Sequence, residues 1–133
     1  MTVSLVIVSH SAQLAEGVAE LAGQMTQGKV AIAAAGGAVD GSLGTSLEKV
    51  VEALQEVDNP DGTLILLDLG GAVMTTEMAV ETFVHDPSHR VLISSAPLVE
   101  GAIIAAVEAS IGNSLDEVAE AAANAHLLPK LQK

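Results

Sequence analysis

The chain has no cysteine. That excludes a disulfide framework, a thiolate metal site and thiol catalysis. It has neither tryptophan nor tyrosine, and its one aromatic residue is Phe83. Base-stacking recognition of single-stranded nucleic acid needs more than that. Cations are scarce: Lys+Arg is 5 against 17 for Asp+Glu, a formal charge of -12. A phosphate backbone would be repelled, so nucleic acid is not an expected partner. An anionic membrane surface is disfavoured for the same reason. Long apolar runs are missing too. The hydrophobic fraction is 50%, but its stretches are broken by Gly, Asp and Glu and fall short of the ~18 residues that spanning requires. The opening Met1-Thr2-Val3-Ser4-Leu5 carries no basic region and does not read as a signal peptide. A soluble cytoplasmic protein is the expectation, with no cofactor and no metal.

What is present is 133 residues, the length of one domain. Such a chain buries roughly two-thirds of the surface it exposes when unfolded. The pattern alternates strand and helix. Ser4–Ser9 is a short apolar run of the kind buried on both faces of a parallel sheet. Leu14, Val18, Leu21, Ala22 and Met25 then recur at helical spacing up to Gly28. Val30–Ala34 reads as a second strand, followed by a loop with four glycines, Gly36, Gly37, Gly41 and Gly44. Thr45 and Glu48 have capping-box spacing before a helix with Leu47, Val50, Val51 and Leu54 inward. Asp58–Gly62 is a turn and Thr63–Asp68 the third strand. A helix over about 72–84 follows Gly70-Gly71 and ends by Asp86-Pro87. Strand four covers Arg90–Ser95. Pro97 suits the first position of the next helix, and Ser114 with Glu117 caps the last one, to about Ala125.

Strands alternating with helices imply an α/β three-layer sandwich. The expected sheet is mostly parallel, of order 2-1-3-4, with helices on both faces. The domain is expected over 1–127, with 128–133 as a tail. In that order strands one and three are neighbours, about 4.8 Å apart. The order reverses between them, and chemistry collects at the carboxyl ends of strands at such a switch point. His10 directly follows strand one and Asp68 ends strand three. Neutral imidazole is a nucleophile at pH 7. A carboxylate on one ring nitrogen would orient the ring and leave the other free to attack. Helix amides and their dipoles form an anion site beside the pair. Ser9, Ser11, Thr45, Thr75 and Thr76 offer hydroxyls, and Gly37, Gly70 and Gly71 bring bare backbone near. The predicted catalytic pair is His10 and Asp68. The predicted phosphoryl-binding set is Ser11, Gly37, Thr45, Gly70 and Gly71. Arg90 is the only arginine and lies at the far end of a turn. The site is therefore expected to hold phosphate with backbone dipoles or with cations from a partner.

Leu5-Val6-Ile7-Val8-Ser9-His10-Ser11 resembles the start of the phosphotransferase subunit of phosphoenolpyruvate-dependent dihydroxyacetone kinases. Gly44-Thr45-Ser46, Leu66-Leu67-Asp68-Leu69-Gly70 and Ala96-Pro97-Leu98-Val99-Glu100-Gly101 resemble that family in order. The likeness spans about residues 3–127. The wider fold resembles the mannose-type IIA domains of the sugar phosphotransferase system. The resemblance implies that His10 takes a phosphoryl group from the histidine phosphocarrier protein. It would pass the group to ADP on the nucleotide-binding subunit of the kinase, with Asp68 orienting the ring. It also implies a homodimer. The mannose-type run Gly-Gly-Ser-Pro is replaced here by Gly70-Gly71-Ala72-Val73, which favours the dihydroxyacetone branch over a sugar-transport IIA component.

Other residues read more simply. His85 and His89 flank a turn expected to be solvated, and His126 belongs to an exposed tail. Glu100 in a first helical turn suits the helix dipole, and Met74 and Met78 read as core or dimer packing. Two other classes compete. A receiver domain would use Asp68 as acceptor, but it needs an acidic pair where Ser9-His10 stands and a late lysine that is missing between Lys49 and Lys130. A non-catalytic dimeric module would use the glycine loop to bind a small anion.

Overall fold

A computed structural model describes residues 2–84 and 88–131. Four strands form one parallel sheet of order β2-β1-β3-β4: β1 (Ser4–Ser9), β2 (Ile32–Gly36), β3 (Thr63–Leu67) and β4 (Val91–Ile93). Five helices connect and follow them: α1 (Ala12–Met25), α2 (Leu47–Glu56), α3 (Val73–Phe83), α4 (Leu98–Ser110) and α5 (Leu115–Ala123). Short 3₁₀ turns occupy Gly70–Ala72 and Asn124–Leu127.

The central strands are β-branched and leucine-rich because both faces are covered. Leu5, Ile7, Leu64 and Leu66 pack on one side with Ala15, Val18 and Ala22 of α1, Ala102, Ala105 and Ala109 of α4, and Val118 of α5. Val6, Val8, Ile65 and Leu67 pack on the other with Val50 and Leu54 of α2 and Ala79 of α3. The alanine enrichment is thus a packing device: small side chains let α1 and α4 lie close over the sheet and over each other.

Several local expectations shift. The buried stripe of α1 is Ala15, Val18 and Ala22, while Leu14, Leu21 and Met25 are exposed. The second strand starts at Ile32 and not at Val30, since register with β1 pairs Leu5 with Ile32 and Ser9 with Gly36. The cap of α2 is Ser46, whose hydroxyl accepts from the Lys49 amide at 3.2 Å, and not Thr45. Pro97 has an extended ψ of 137° and stands one residue before α4. The strand-four ladder is carried to Arg90 and Ser94 by bonds to Thr63 and Ile65, although β4 itself covers three residues. The Ser114–Glu117 capping box forms as expected. Met74 and Met78 are exposed, which excludes them from the core. His85 and Asp86-Pro87 lie outside the described residues. No helix among the described residues is long and apolar enough to cross a membrane.

Candidate functional site

The site is built where β1 and β3 end side by side. Val8 pairs with Leu67, and the Asp68 amide bonds the Val8 carbonyl at 3.2 Å, one step beyond the ladder. His10 and Asp68 are therefore adjacent by register. His10 Nδ1 lies 3.0 Å from Asp68 Oδ1. The carboxylate only accepts, so Nδ1 carries the proton of the neutral ring, in which Nε2 keeps its lone pair. Oδ1 also accepts the Leu69 amide at 2.7 Å. Oδ2 accepts the His10 amide and the Ser9 hydroxyl, each at 2.9 Å.

Burial alone would raise the pKa of Asp68. The bonds from the His10 amide, the His10 ring, the Ser9 hydroxyl and the Leu69 amide outweigh it and hold the carboxyl below its ordinary 3.8. Asp68 is thus a fixed anion at neutral pH, able to stabilise positive charge that develops on the imidazole.

The five predicted phosphoryl-binding residues differ in what the structure leaves them. Gly71 stands nearest to the ring: a β-carbon added there would lie 3.4 Å from His10 Nε2. Gly70 is exposed, with nothing within 4 Å of such a carbon. The first amides of a helical turn have no acceptor within it, which leaves those of Gly70 and Gly71, in the turn that passes the ring at Gly71, without an intrahelical partner. Ser11 caps α1, accepting the Leu14 amide at 3.2 Å, and its own proton remains to donate. The Gly37 amide is taken up by the Ser9 carbonyl at 3.1 Å, so Gly37 shapes the loop more directly than it presents a donor. Thr45 pairs its hydroxyl with that of Thr75 at 3.1 Å. Thr76 Oγ1 is buried and has no hydrogen-bond partner among the described residues.

The glycine loop is latched to the site through backbone. The Gly44 amide donates to the His10 carbonyl at 2.9 Å. Gly36 allows α1 to begin across the end of β2: a β-carbon there would meet the Ser11 carbonyl oxygen at 2.6 Å. Two features escaped the sequence reading. Ser9 is fully buried and bonded to Asp68, though the sequence offers it only as one hydroxyl among five. Lys49 brings a cation to this edge of the sheet, its Nζ 2.9 Å from the Gly36 carbonyl oxygen. The signal was available: a lysine in a first helical turn opposes the dipole and asks for another partner.

The family described as EIIA-man, PTS system fructose IIA component, matches residues 4–119. The chain belongs to this family. As an EIIA-man chain it is 42% identical over 119 residues to the phosphoryl donor subunit DhaM of the PEP-dependent dihydroxyacetone kinase of Escherichia coli K12. That match covers 87% of this chain and 25% of the relative, so the chain spans about a quarter of that protein. It is 33% identical over 124 residues to DhaM of PEP-dependent dihydroxyacetone kinase 2 from Listeria innocua, covering 93% of this chain and 99% of the relative. Among solved structures, the protein of unknown function EF1359 superposes with a TM-score of 0.81 at 33% identity, over 93% of this chain and 95% of its own. The mannose/sorbose-specific IIA subunit of Enterococcus faecalis gives 0.55 at 26%, over 99% and 100%. The EIIA-man fold expected from the sequence is the fold observed.

Proposed function

We propose that the chain is a phosphohistidine carrier of a dihydroxyacetone kinase system. His10 Nε2 attacks the phosphorus of a phosphohistidine on the histidine phosphocarrier protein. The new N–P bond forms as the donor N–P bond breaks. The phosphoryl group then passes to ADP on the nucleotide-binding subunit of the kinase, giving ATP there and returning His10 to neutral imidazole. Asp68 keeps the proton on Nδ1 and stabilises the charged ring between the two steps. The amides of Gly70 and Gly71, with Ser11 and Thr45, take the phosphoryl oxygens.

The observation that carries this reading is the division of labour on one ring. Nδ1 is bonded to a fixed carboxylate at 3.0 Å, while Nε2 faces a residue with no side chain. The names of the relatives, phosphoryl donor subunits of PEP-dependent dihydroxyacetone kinases, support the kinase part of this reading. Exposed Val39 and Leu43 of the glycine loop, and Leu69 next to Asp68 in the chain, suit contact with a protein donor and acceptor. The carrier unit is residues 1–127, working in the cytoplasm as a homodimer.

The test is phosphoryl transfer from labelled phosphoenolpyruvate through enzyme I and the phosphocarrier. Acid-labile, base-stable label on the wild type, absent from His10→Ala, is expected. Label that persists in His10→Ala ends this reading. Discharge to an ADP-loaded kinase subunit, and not to a sugar-transport IIB component, separates the two branches of the family.

A further inference from the structure

We propose that Ser9 is a positioning residue for the transfer, acting on the imidazole through Asp68. The proposal rests on the phosphohistidine-carrier reading and adds a residue to it. Ser9 is the last residue of β1 and is 0% exposed. Its hydroxyl lies 2.9 Å from Asp68 Oδ2 and 3.0 Å from the Ser11 amide nitrogen. The amide can only donate and the carboxylate can only accept. The direction of the chain is therefore fixed: Ser11 N–H to Ser9 Oγ–H to Asp68 Oδ2. Bonds in such a chain polarise one another.

The need for this contact follows from the aspartate itself. Rotation about its last side-chain torsion is soft and has no sharp preferred angle. Asp68 must nevertheless keep Oδ1 on Nδ1. The His10 amide and the Ser9 hydroxyl both donate to Oδ2 and hold the carboxylate from behind. Without the hydroxyl, Oδ2 keeps one donor, and that donor belongs to the residue being oriented. Ser9 is not itself a nucleophile: it is buried, and its proton goes to Asp68 and not to a ring nitrogen. Ser9 and Ser11 flank His10 alike in the sequence. Two residues apart on a strand they would share a side, but β1 ends at Ser9 and Ser11 has already left the strand to cap α1, so only Ser9 reaches Asp68.

The test uses the full chain as wild type, Ser9→Ala and Ser9→Thr. Imidazole ¹⁵N shifts report which ring nitrogen of neutral His10 carries the proton. Wild type and Ser9→Thr are expected to hold the proton on Nδ1. Ser9→Ala is expected to show a mixture of tautomers, and its rate constant for phosphoryl uptake falls about tenfold with the donor KM unchanged. A Ser9→Ala protein with the wild-type tautomer and rate overturns the proposal. So does a Ser9→Thr protein that behaves like Ser9→Ala, or a Ser9→Ala protein that does not fold, since either makes the role one of packing. If the wild type takes no phosphate but loses its tautomer preference in Ser9→Ala, the carrier reading fails and the orienting role of Ser9 stands.

Discussion

Two histidine–aspartate pairs stand at opposite ends of the sheet, joined through the same atoms. At the carboxyl end His10 Nδ1 lies 3.0 Å from Asp68 Oδ1, and at the amino end His89 Nδ1 lies 3.1 Å from Asp58 Oδ1. The histidine side chains are 32% and 29% exposed. The carboxylates separate them: Asp68 is 10% exposed and Asp58 37%. Asp68 takes three further bonds, from Ser9, the His10 amide and Leu69, whereas Asp58 sits on an exposed turn. The second ring is also engaged differently, packing edge-on against Phe83 with centroids 5.1 Å apart. What separates the two contacts, and makes His10 the proposed nucleophile, is what holds the carboxylate and what faces the other nitrogen.

The largest effect expected to separate the pairs is loss of the proposed nucleophile. His10→Ala is expected to abolish phosphoryl uptake, while His89→Ala keeps the wild-type rate within about twofold. Equal losses in the two variants would erase the distinction. The next largest removes each carboxylate. Asp68→Asn is expected to slow uptake about 100-fold, in the range of lost acid–base assistance. Asp58→Asn should leave the rate unchanged. Rapid-quench measurement of the phosphorylated chain reads both.

A third comparison concerns the other nitrogen. Gly71→Ala puts a methyl group 3.4 Å from His10 Nε2, the nitrogen that takes the phosphoryl group in the proposed reaction. Uptake should fall about tenfold with the melting temperature unchanged, because the backbone there is an exposed turn. Gly70→Ala, with nothing within 4 Å, is the matched control. A Gly70→Ala chain as slow as Gly71→Ala would place the effect on backbone freedom and not on the space beside the ring.

Much of this was legible in the sequence, for reasons that can be stated. Strand order and the placement of His10 and Asp68 follow from alternating elements and from the switch point between β1 and β3. The chain read less well where one residue type serves two purposes. Thr45 and Ser46 are both good caps, and only packing against Thr75 shows which one is free to cap. Leucine marks a core face by default, yet in α1 the alanines face inward because that helix must lie close to α4. Ser9 and Ser11 are indistinguishable without the direction in which the strand ends. Lys49 in the first turn of α2 signals that it needs a partner beyond its own helix, but the sequence does not say that the partner is the Gly36 carbonyl at the end of β2.

The smallest effect sharpens the contrast at the level of stability. The folded pKa of Asp68 is depressed below its ordinary value, so its bonds contribute stability above that value and lose it as pH falls through the folded pKa. Asp68→Asn should therefore be less stable than wild type by about 1.5–3 kcal/mol near neutrality, the worth of hydrogen bonds to a charged group. The gap should narrow only as pH falls below the ordinary 3.8 and through the lower folded pKa, where the wild-type carboxylate also becomes neutral. Asp58→Asn removes an exposed pair, and the expected difference is within about 0.5 kcal/mol throughout. Urea unfolding at a series of pH values measures all three proteins. A gap for Asp68→Asn that stays constant into acid would mean that the residue stabilises the fold through shape alone. Its charge would then serve the imidazole and not the fold.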